Sequence, residues 1–302
     1  MKKQAALVLS SGGARGLAHI GVIRELEKQG FEISSIAGSS IGSVIGAVYA
    51  MGKLDEYTEW VKGLTKKEVW DLLDLTISFK GIFKGERVFE TMRTFIPDMN
   101  IEDLPIPFAA VASDIFNEQQ MVFTKGSVYD AMRASIAIPA LFTPVKKKEV
   151  FLVDGGILNP VPIEHIQRKE NDILIVSSLY GHKCAEPYTT SSSKKLNKKD
   201  PEQKSMVQAY WGKFTGLLDN FDNNEPGFYG LLSASSSAMI SRIANLNLLL
   251  HKPDILINTP SDYSKILDFH KASQIIRFGE DQAKNAILQY HTQLKELDTA
   301  NN

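Results

Sequence analysis

A chain of 302 residues is long enough for one large α/β domain or two modest ones. Hydrophobic residues at 43% and charged residues at 23% are ordinary for a globular protein. A formal net charge of -1 removes the electrostatic case for nucleic-acid binding, and a single cysteine, Cys184, excludes an intrachain disulfide and offers no metal-ligand cluster.

Ala5 to Ser10 is a short apolar run before a glycine-rich turn, the pattern of a buried parallel strand. Met1-Lys2-Lys3 ahead of it resembles the opening of a signal peptide, but the run is too short and meets no cleavage-like segment. With no apolar stretch of transmembrane length either, the expected setting is cytoplasmic. Ser11-Gly12-Gly13-Ala14-Arg15-Gly16 then opens a helix carrying Leu17, Ile20, Ile23 and Leu26 and stopped by Gly30. Strand, glycine loop and helix form an anion-binding corner, where consecutive N–H groups meet the positive end of a helix dipole. A dinucleotide site of this form wants an acidic residue at the end of the next strand. That strand, Ser34 to Ser39, runs instead into Ser40. An oxyanion hole beside the serine uses both motifs together.

Gly38-Ser39-Ser40-Ile41-Gly42 is a G-x-S-x-G at a strand-to-helix junction, the form of a nucleophile elbow. The turn lifts the middle serine out of the fold, and the glycines let strand and helix backbones pass closely. Ile41, Val44, Ile45 and Val48 recur at i, i+3, i+4 and i+7 and mark the buried stripe of a helix reaching Met51. Its free N–H groups face Ser40, where negative charge develops in acyl transfer. Alone, the pentapeptide also fits an ordinary loop.

Asp55 to Phe83 is mixed and partly helical; Trp60, Leu64, Trp70, Leu72, Leu73 and Leu75 give it an apolar side that suits a core or an acyl-chain pocket alike. Phe108 to Ala112, Met121 to Thr124, Phe151 to Val153 and Ile173 to Leu179 read as strands, and Val128 to Ile136 as a short helix ended by Pro139. This alternation argues for a mostly parallel sheet with helices on both faces. From Gly181 to Lys204 the chain turns polar, with Ser191-Ser192-Ser193, Lys194-Lys195 and Lys198-Lys199, as in a surface loop. Beyond it, Met206, Tyr210, Trp211, Phe214, Leu217, Leu218 and Phe221 decorate one helix and Leu231 to Leu250 form another. Asp254 to Asn258 is a strand, and Phe269 to Leu297 a final helix with a weak point at Gly279.

A serine hydroxyl is a poor nucleophile until a base takes its proton. In the familiar order of Ser, then Asp or Glu, then His, His251, His270 or His291 could close a triad after Asp154. None sits in a Gly/Pro-rich loop, and His19 lies near the glycine loop but precedes the serine. Asp154 is the stronger base, directly after a buried strand with Gly155-Gly156 behind it. Asp-Gly is also a favoured hairpin turn, but Asn159-Pro160-Val161-Pro162 looks like an extended loop rather than a returning strand. A free aspartate, with a pKa of about 3.9, is a weak base for a hydroxyl; a dyad needs a close hydrogen bond and burial that raises its basicity. Arg15 reads either as a solvated or salt-bridged arginine or as a group holding the glycine loop or a phosphate. Lys146-Lys147-Lys148 reads as a charged turn.

The blocks from Ser10-Ser11-Gly12-Gly13-Ala14-Arg15-Gly16 through Val22, Gly38 to Gly42, Arg133-Ala134-Ser135 with Pro139, and Asp154-Gly155-Gly156 stand in the order of the patatin-like phospholipase family and resemble it. The bacterial group related to the neuropathy target esterase domain is similar also at Lys252 to Ile257 and Asp268 to Ala272, so the resemblance spans most of the chain, least between Gly181 and Leu231. It implies an α/β protein with a three-layer α/β/α patatin-like fold and a mostly parallel central sheet. Its catalytic core would span 5–180, a polar loop or linker 181–204, and a helical extension packed on the core 205–302. It implies Ser40 as nucleophile and Asp154 as base of a dyad without histidine. The oxyanion donors would be N–H groups around Gly12, Gly13, Ala14 and Arg15, with Gly16, Gly38, Gly42, Gly155 and Gly156 as support. No cofactor and no metal are implied. The substrate would be a phospholipid, lysophospholipid or other acyl ester, reached by transient contact with a membrane surface. Two positions depart from the family: Ser11 stands where glycine is usual, and Ser43 follows Gly42 where alanine is usual.

Three functions of different classes fit these residues: a serine lipid acyl hydrolase, a non-catalytic acyl-lipid-binding or regulatory protein on the same fold, and a nucleotide-dependent enzyme using the glycine loop for phosphate. The resemblance favours the first and leaves the oligomeric state open. Lys194 to Lys199 with Tyr210, Trp211, Phe214 and Leu218 read either as a membrane contact or as a solvated spacer before a helix packed on the core, and the membrane contact is the expectation carried forward.

Overall fold

A computed structural model describes residues 3–73, 75–78, 81–183 and 228–300. Cys184, the lysine-rich loop and the aromatic stretch from Met206 to Phe221, with the membrane contact expected of them, lie outside the described residues.

β1 (Lys3–Leu9) ends in five residues with no exposed surface, Ala5 to Leu9, because it is covered on both faces as parallel strands are. Leu7 and Leu9 join the large core with α1 (Ala18–Lys28), α2 (Ile41–Ala50) and α8 (Ala272–Ala300). Val8 turns the other way, into a smaller core with Val161, Leu174, Val176 and Ala244 beneath α7 (Phe228–His251). Helices therefore cover both faces of the sheet, the expected three layers. In the sheet β1 lies between β2 (Phe31–Ser39) and β9 (Ile173–Gly181), with β10 (Ile255–Pro260) outside β9 and β5 (Phe108–Asp114) beyond β2, all parallel. β6 (Gln119–Phe123), β7 (Val145–Lys147) and β8 (Val150–Asp154) run antiparallel to their neighbours at the β5 end.

Through its pairing, β5 positions the ends of β2 and β8. Its first edge pairs with β6 over Ala110 to Asp114, so its second edge must take both other partners: β2 along Phe108 to Val111 and β8 along Ala112 to Asp114. The C-terminal ends of β2 and β8 thus abut. Ser39 lies opposite Val111 and Asp154 opposite Ala112, the next residue along.

Helices α3 (Leu54–Gly63) and α4 (Lys66–Leu72) lie in the stretch from Asp55 to Phe83 expected to be partly helical, α5 (Arg87–Arg93) follows it, and α6 (Val128–Ser135) matches its expected span to within one residue. α4 starts at a reciprocal capping box between Thr65 and Glu68. A hairpin of β3 (Leu75–Ser78) and β4 (Gly81–Phe83) is not legible in the sequence, being short and lacking an Asn-Gly or Asp-Gly turn. Two expectations need correction. Lys146 and Lys147 belong to edge strand β7, where lysines discourage pairing with another chain, and only Lys148 (φ 56°) makes the turn. Gly279 does not weaken α8: a Cβ there would stand 2.0 Å from the Ala18 carbonyl oxygen, so the missing side chain is what lets α8 rest on α1. Among the described residues, no helix is long and apolar enough to cross a membrane.

Candidate active site

Ser40 stands between β2 and α2 with φ 53° and ψ -124°, a positive φ that a non-glycine residue holds at about 1–3 kcal/mol of strain. Its surroundings enforce the turn. The Ser40 N–H donates to Ser135 Oγ at 2.9 Å, and Ser135 Oγ donates to the Val111 carbonyl at 2.6 Å. Ser43 Oγ donates back to the Ser40 carbonyl at 2.6 Å, so the serine found in place of alanine adds a bond to the elbow. Gly42 is forced by close approach: a Cβ there would lie 2.2 Å from the Leu9 carbonyl oxygen. Gly42→Ala is therefore expected to cost roughly 3 kcal/mol or more, read as a fall in Tm or loss of soluble protein. A melting temperature unchanged from the parent would contradict this packing.

The abutting strand ends bring Ser40 and Asp154 together, and the Ser40 hydroxyl donates to Asp154 Oδ2. Asp154 Oδ1 accepts from the Gly156 N–H at 2.7 Å. Both residues are buried, at 4% and 5% exposure. Burial penalises the carboxylate and raises its pKa to about 7, against the opposing pull of the Ser40 hydroxyl and the Gly156 N–H. Among the described residues no histidine bonds to either group. His251 ends α7, His270 sits in the 3-10 turn before α8, and His291 on α8 meets Lys3.

His19 has a different position. It is fully buried, accepts or donates at Ser177 Oγ (2.8 Å) and lies 3.0 Å from the Ser10 carbonyl. A carbonyl only accepts, so Nε2 carries the proton and Nδ1 accepts from Ser177. Burial lowers the His19 pKa to about 4, which keeps the ring neutral at pH 7. Ser10 Oγ accepts from the Leu179 N–H at 2.9 Å, and Ser11 Oγ pairs with the Tyr180 hydroxyl at 2.5 Å. The glycine loop is thereby sewn to the end of β9. Ser11, the other departure from the family, keeps a negative φ and gains a partner.

Within the loop, the Ala14 N–H is spent on the Ile266 carbonyl at 2.9 Å, which removes it from the expected oxyanion donors in this conformation. Gly12 and Gly13 keep N–H groups without a partner among the described residues. Arg15 donates from Nη1 to the Ser261 carbonyl, and burial lowers its pKa against the opposing charges of Tyr180 and Asp262. The contact ties the glycine loop to Ser261, and the Asp262 charge faces the same guanidinium. Gly16 packs against Ile41, Gly38 against Gly42, and Gly155 against the Val111 carbonyl, so the remaining motif glycines are points of close approach around the same junction.

A cavity of about 830 Å³, its open mouth included, runs from Ser40 and Gly13 into apolar side chains. Tyr57, Trp60, Val61, Leu64, Val69, Leu72 and Leu73 wall one part of it, and Val88, Phe89, Met92, Leu141, Phe142, Ile266 and Phe269 another. Of the aromatic and leucine positions with two open readings, Trp60, Leu64, Leu72 and Leu73 line this cavity, whereas Trp70 packs on the cluster of Phe83 and Phe142. Ser135 and Tyr180 are site residues that sequence reasoning left without a role; for Ser135 the signal was its place in the Arg133-Ala134-Ser135 block. Among the described residues there is no cluster of side chains able to hold a metal ion.

Residues 7–166 match the family described as Patatin-like phospholipase. An uncharacterized NTE family protein of Mycobacterium tuberculosis is 33% identical over 330 residues, covering 93% of this chain and 91% of its own length. Mouse patatin-like phospholipase domain-containing protein 6 is 36% identical over 166 residues, 53% of this chain and 12% of its own length. The crystal structure of VipD from Legionella pneumophila shares the fold, with a TM-score of 0.54 at 13% identity over 96% of this chain and 67% of VipD.

Proposed function

Because the chain belongs to the patatin-like phospholipase family, a family of lipid acyl hydrolases, we propose that it is a serine acyl-ester hydrolase of phospholipids or lysophospholipids, with Ser40 as nucleophile and Asp154 as base. The observation that carries the proposal is the buried hydrogen bond from the Ser40 hydroxyl to Asp154 at the end of an apolar cavity. The acyl chain enters the cavity and leaves its ester carbonyl at Ser40. Asp154 takes the hydroxyl proton as Oγ attacks, and the Gly12 and Gly13 N–H groups meet the negative oxygen of the tetrahedral intermediate. The proton then passes from Asp154 to the departing alkoxide, leaving an acyl-enzyme. Water, deprotonated by the same carboxylate, releases the fatty acid and restores Ser40.

An active-site fluorophosphonate probe tests this reading directly. Labelling that is lost in Ser40→Ala supports the hydrolase; absent labelling of the parent would favour an acyl-lipid sensor on the same fold.

The pH dependence is a second expected result. Only ionised Asp154 can accept the proton, and burial raises its pKa from 3.8 to about 7. Turnover of a soluble short-chain ester should therefore rise about tenfold per pH unit below that value and level off above it. The limb should persist when His251, His270 or His291 is replaced by alanine. A limb near pH 4, or one abolished by a histidine replacement, would overturn Asp154 as the base.

A further inference from the structure

Among the described residues, six of the twelve large apolar side chains left exposed stand on α7: Leu231, Leu232, Met239, Leu246, Leu249 and Leu250, each 47–76% exposed. Leu232, Met239 and Leu246 recur at seven-residue intervals, so they share one face along a helix of 24 residues, about 36 Å long. The other face is already used, with Ala244 fully buried and Leu248 packed over Val161 and Val176. From Phe228 to His251 there is no aspartate or glutamate, and the one arginine, Arg242, is exposed. Arg242 follows Met239 by three positions and precedes Leu246 by four, which sets its charge within the apolar stripe, where it makes no ion pair among the described residues.

That charge decides between occupants. A second copy packed along this stripe, parallel or antiparallel, would bring two Arg242 side chains together near the helix middle with no acidic group on either helix to neutralise them. An anionic phospholipid surface supplies phosphates to the guanidinium and an acyl boundary to the leucines. We propose that α7 is an interfacial helix that seats the protein on anionic phospholipid. The inference rests on the lipid-ester reading for its purpose but on α7 alone for its observations. It also locates membrane contact on a helix other than the aromatic stretch expected from sequence. α7 is tied to the catalytic loop: Asn247 Nδ2 donates to Asn159 Oδ1 at 3.0 Å and to the Val161 carbonyl at 3.2 Å, and the Asn159 N–H donates to the Gly155 carbonyl beside Asp154.

Sedimentation with phosphatidylcholine vesicles, with and without phosphatidylserine, tests the proposal on the full chain. The parent should bind the mixed vesicles more tightly. Leu232→Glu with Leu246→Glu should weaken that binding about tenfold or more, and Arg242→Glu should remove the preference for phosphatidylserine, while turnover of a soluble short-chain ester stays at the parent level in both. Ser40→Ala should bind vesicles as the parent does. Loss of its ester turnover tests the hydrolase reading separately, so either reading can fail without the other. Cys184 is the sole cysteine, so in a Cys184→Ser background Leu246→Cys should react with a water-soluble maleimide in the free protein and become protected on vesicles. Equal vesicle binding by parent and double variant would overturn the proposal. So would maleimide protection without vesicles, which in a monomer places the chain's own residues on the face and in a dimer places a second copy there.

Discussion

Ser40→Ala is expected to lower ester turnover by roughly a thousandfold or more, to the level left by binding and oxyanion contacts alone. The substitution removes the attacking oxygen, and nothing else near the junction can replace it. Ser43 Oγ and Ser135 Oγ are committed to the Ser40 and Val111 carbonyls, and Ser39, though its hydroxyl is buried without a partner, precedes the turn on β2. The fold should survive. The elbow is held by the backbone bonds of Ser40 to Ser135 and Ser43, which alanine keeps. Single-turnover assays with a short-chain ester, alongside a melting curve, read both quantities. A variant with parent-like turnover would mean that another residue is the nucleophile.

Asp154→Asn should cost about 10²–10⁴ in turnover, the range of a lost general base. An amide can still sit beside Ser40 and accept its hydrogen bond through oxygen, but it cannot take the proton. The same substitution makes a separate statement about stability. The folded-state pKa of Asp154 is raised by burial to about 7 from 3.8, so between those values the native state holds a proton that the unfolded chain has released. Its contribution is therefore fully present below pH 4 and is lost as pH rises through 7. Asparagine carries no charge to bury, so Asp154→Asn should melt above the parent at pH 8 and lose that advantage toward pH 4. Higher stability with far lower activity is the signature of a group kept for chemistry. A variant less stable than the parent at pH 8 would show that the carboxylate supports the fold.

Both departures from the family are explained by hydroxyl partners, one distant in the chain and one local. Ser11 meets Tyr180 from 169 positions away, and Ser43 closes a bond within the elbow turn. Arg15 illustrates the limit of a local reading: nothing in its neighbours along the chain shows that it is partly buried and donates to the Ser261 carbonyl, 246 positions away.

By itself the sequence determined the local pieces. A strand of fully apolar residues, a glycine loop, a G-x-S-x-G at a strand-to-helix junction and an Asp-Gly-Gly after another strand are set by backbone sterics and hydrophobic periodicity, which act over a few residues. The blocks that carry the family resemblance are of this kind, and so are the elbow and its supporting glycines. Tertiary structure alone decided what those pieces face. Ser40 reaches Asp154 across 114 positions because β2 and β8 share one edge of β5, a pairing that depends on which edge β6 occupies. The basicity of Asp154 comes from burial by neighbours distant in the chain, and the Ala14 N–H was withdrawn by the Ile266 carbonyl. The exposed stripe of α7 was equally hidden: its apolar residues run round the whole helix, so only the packing of Ala244 and Leu248 against the sheet shows which side is left for solvent.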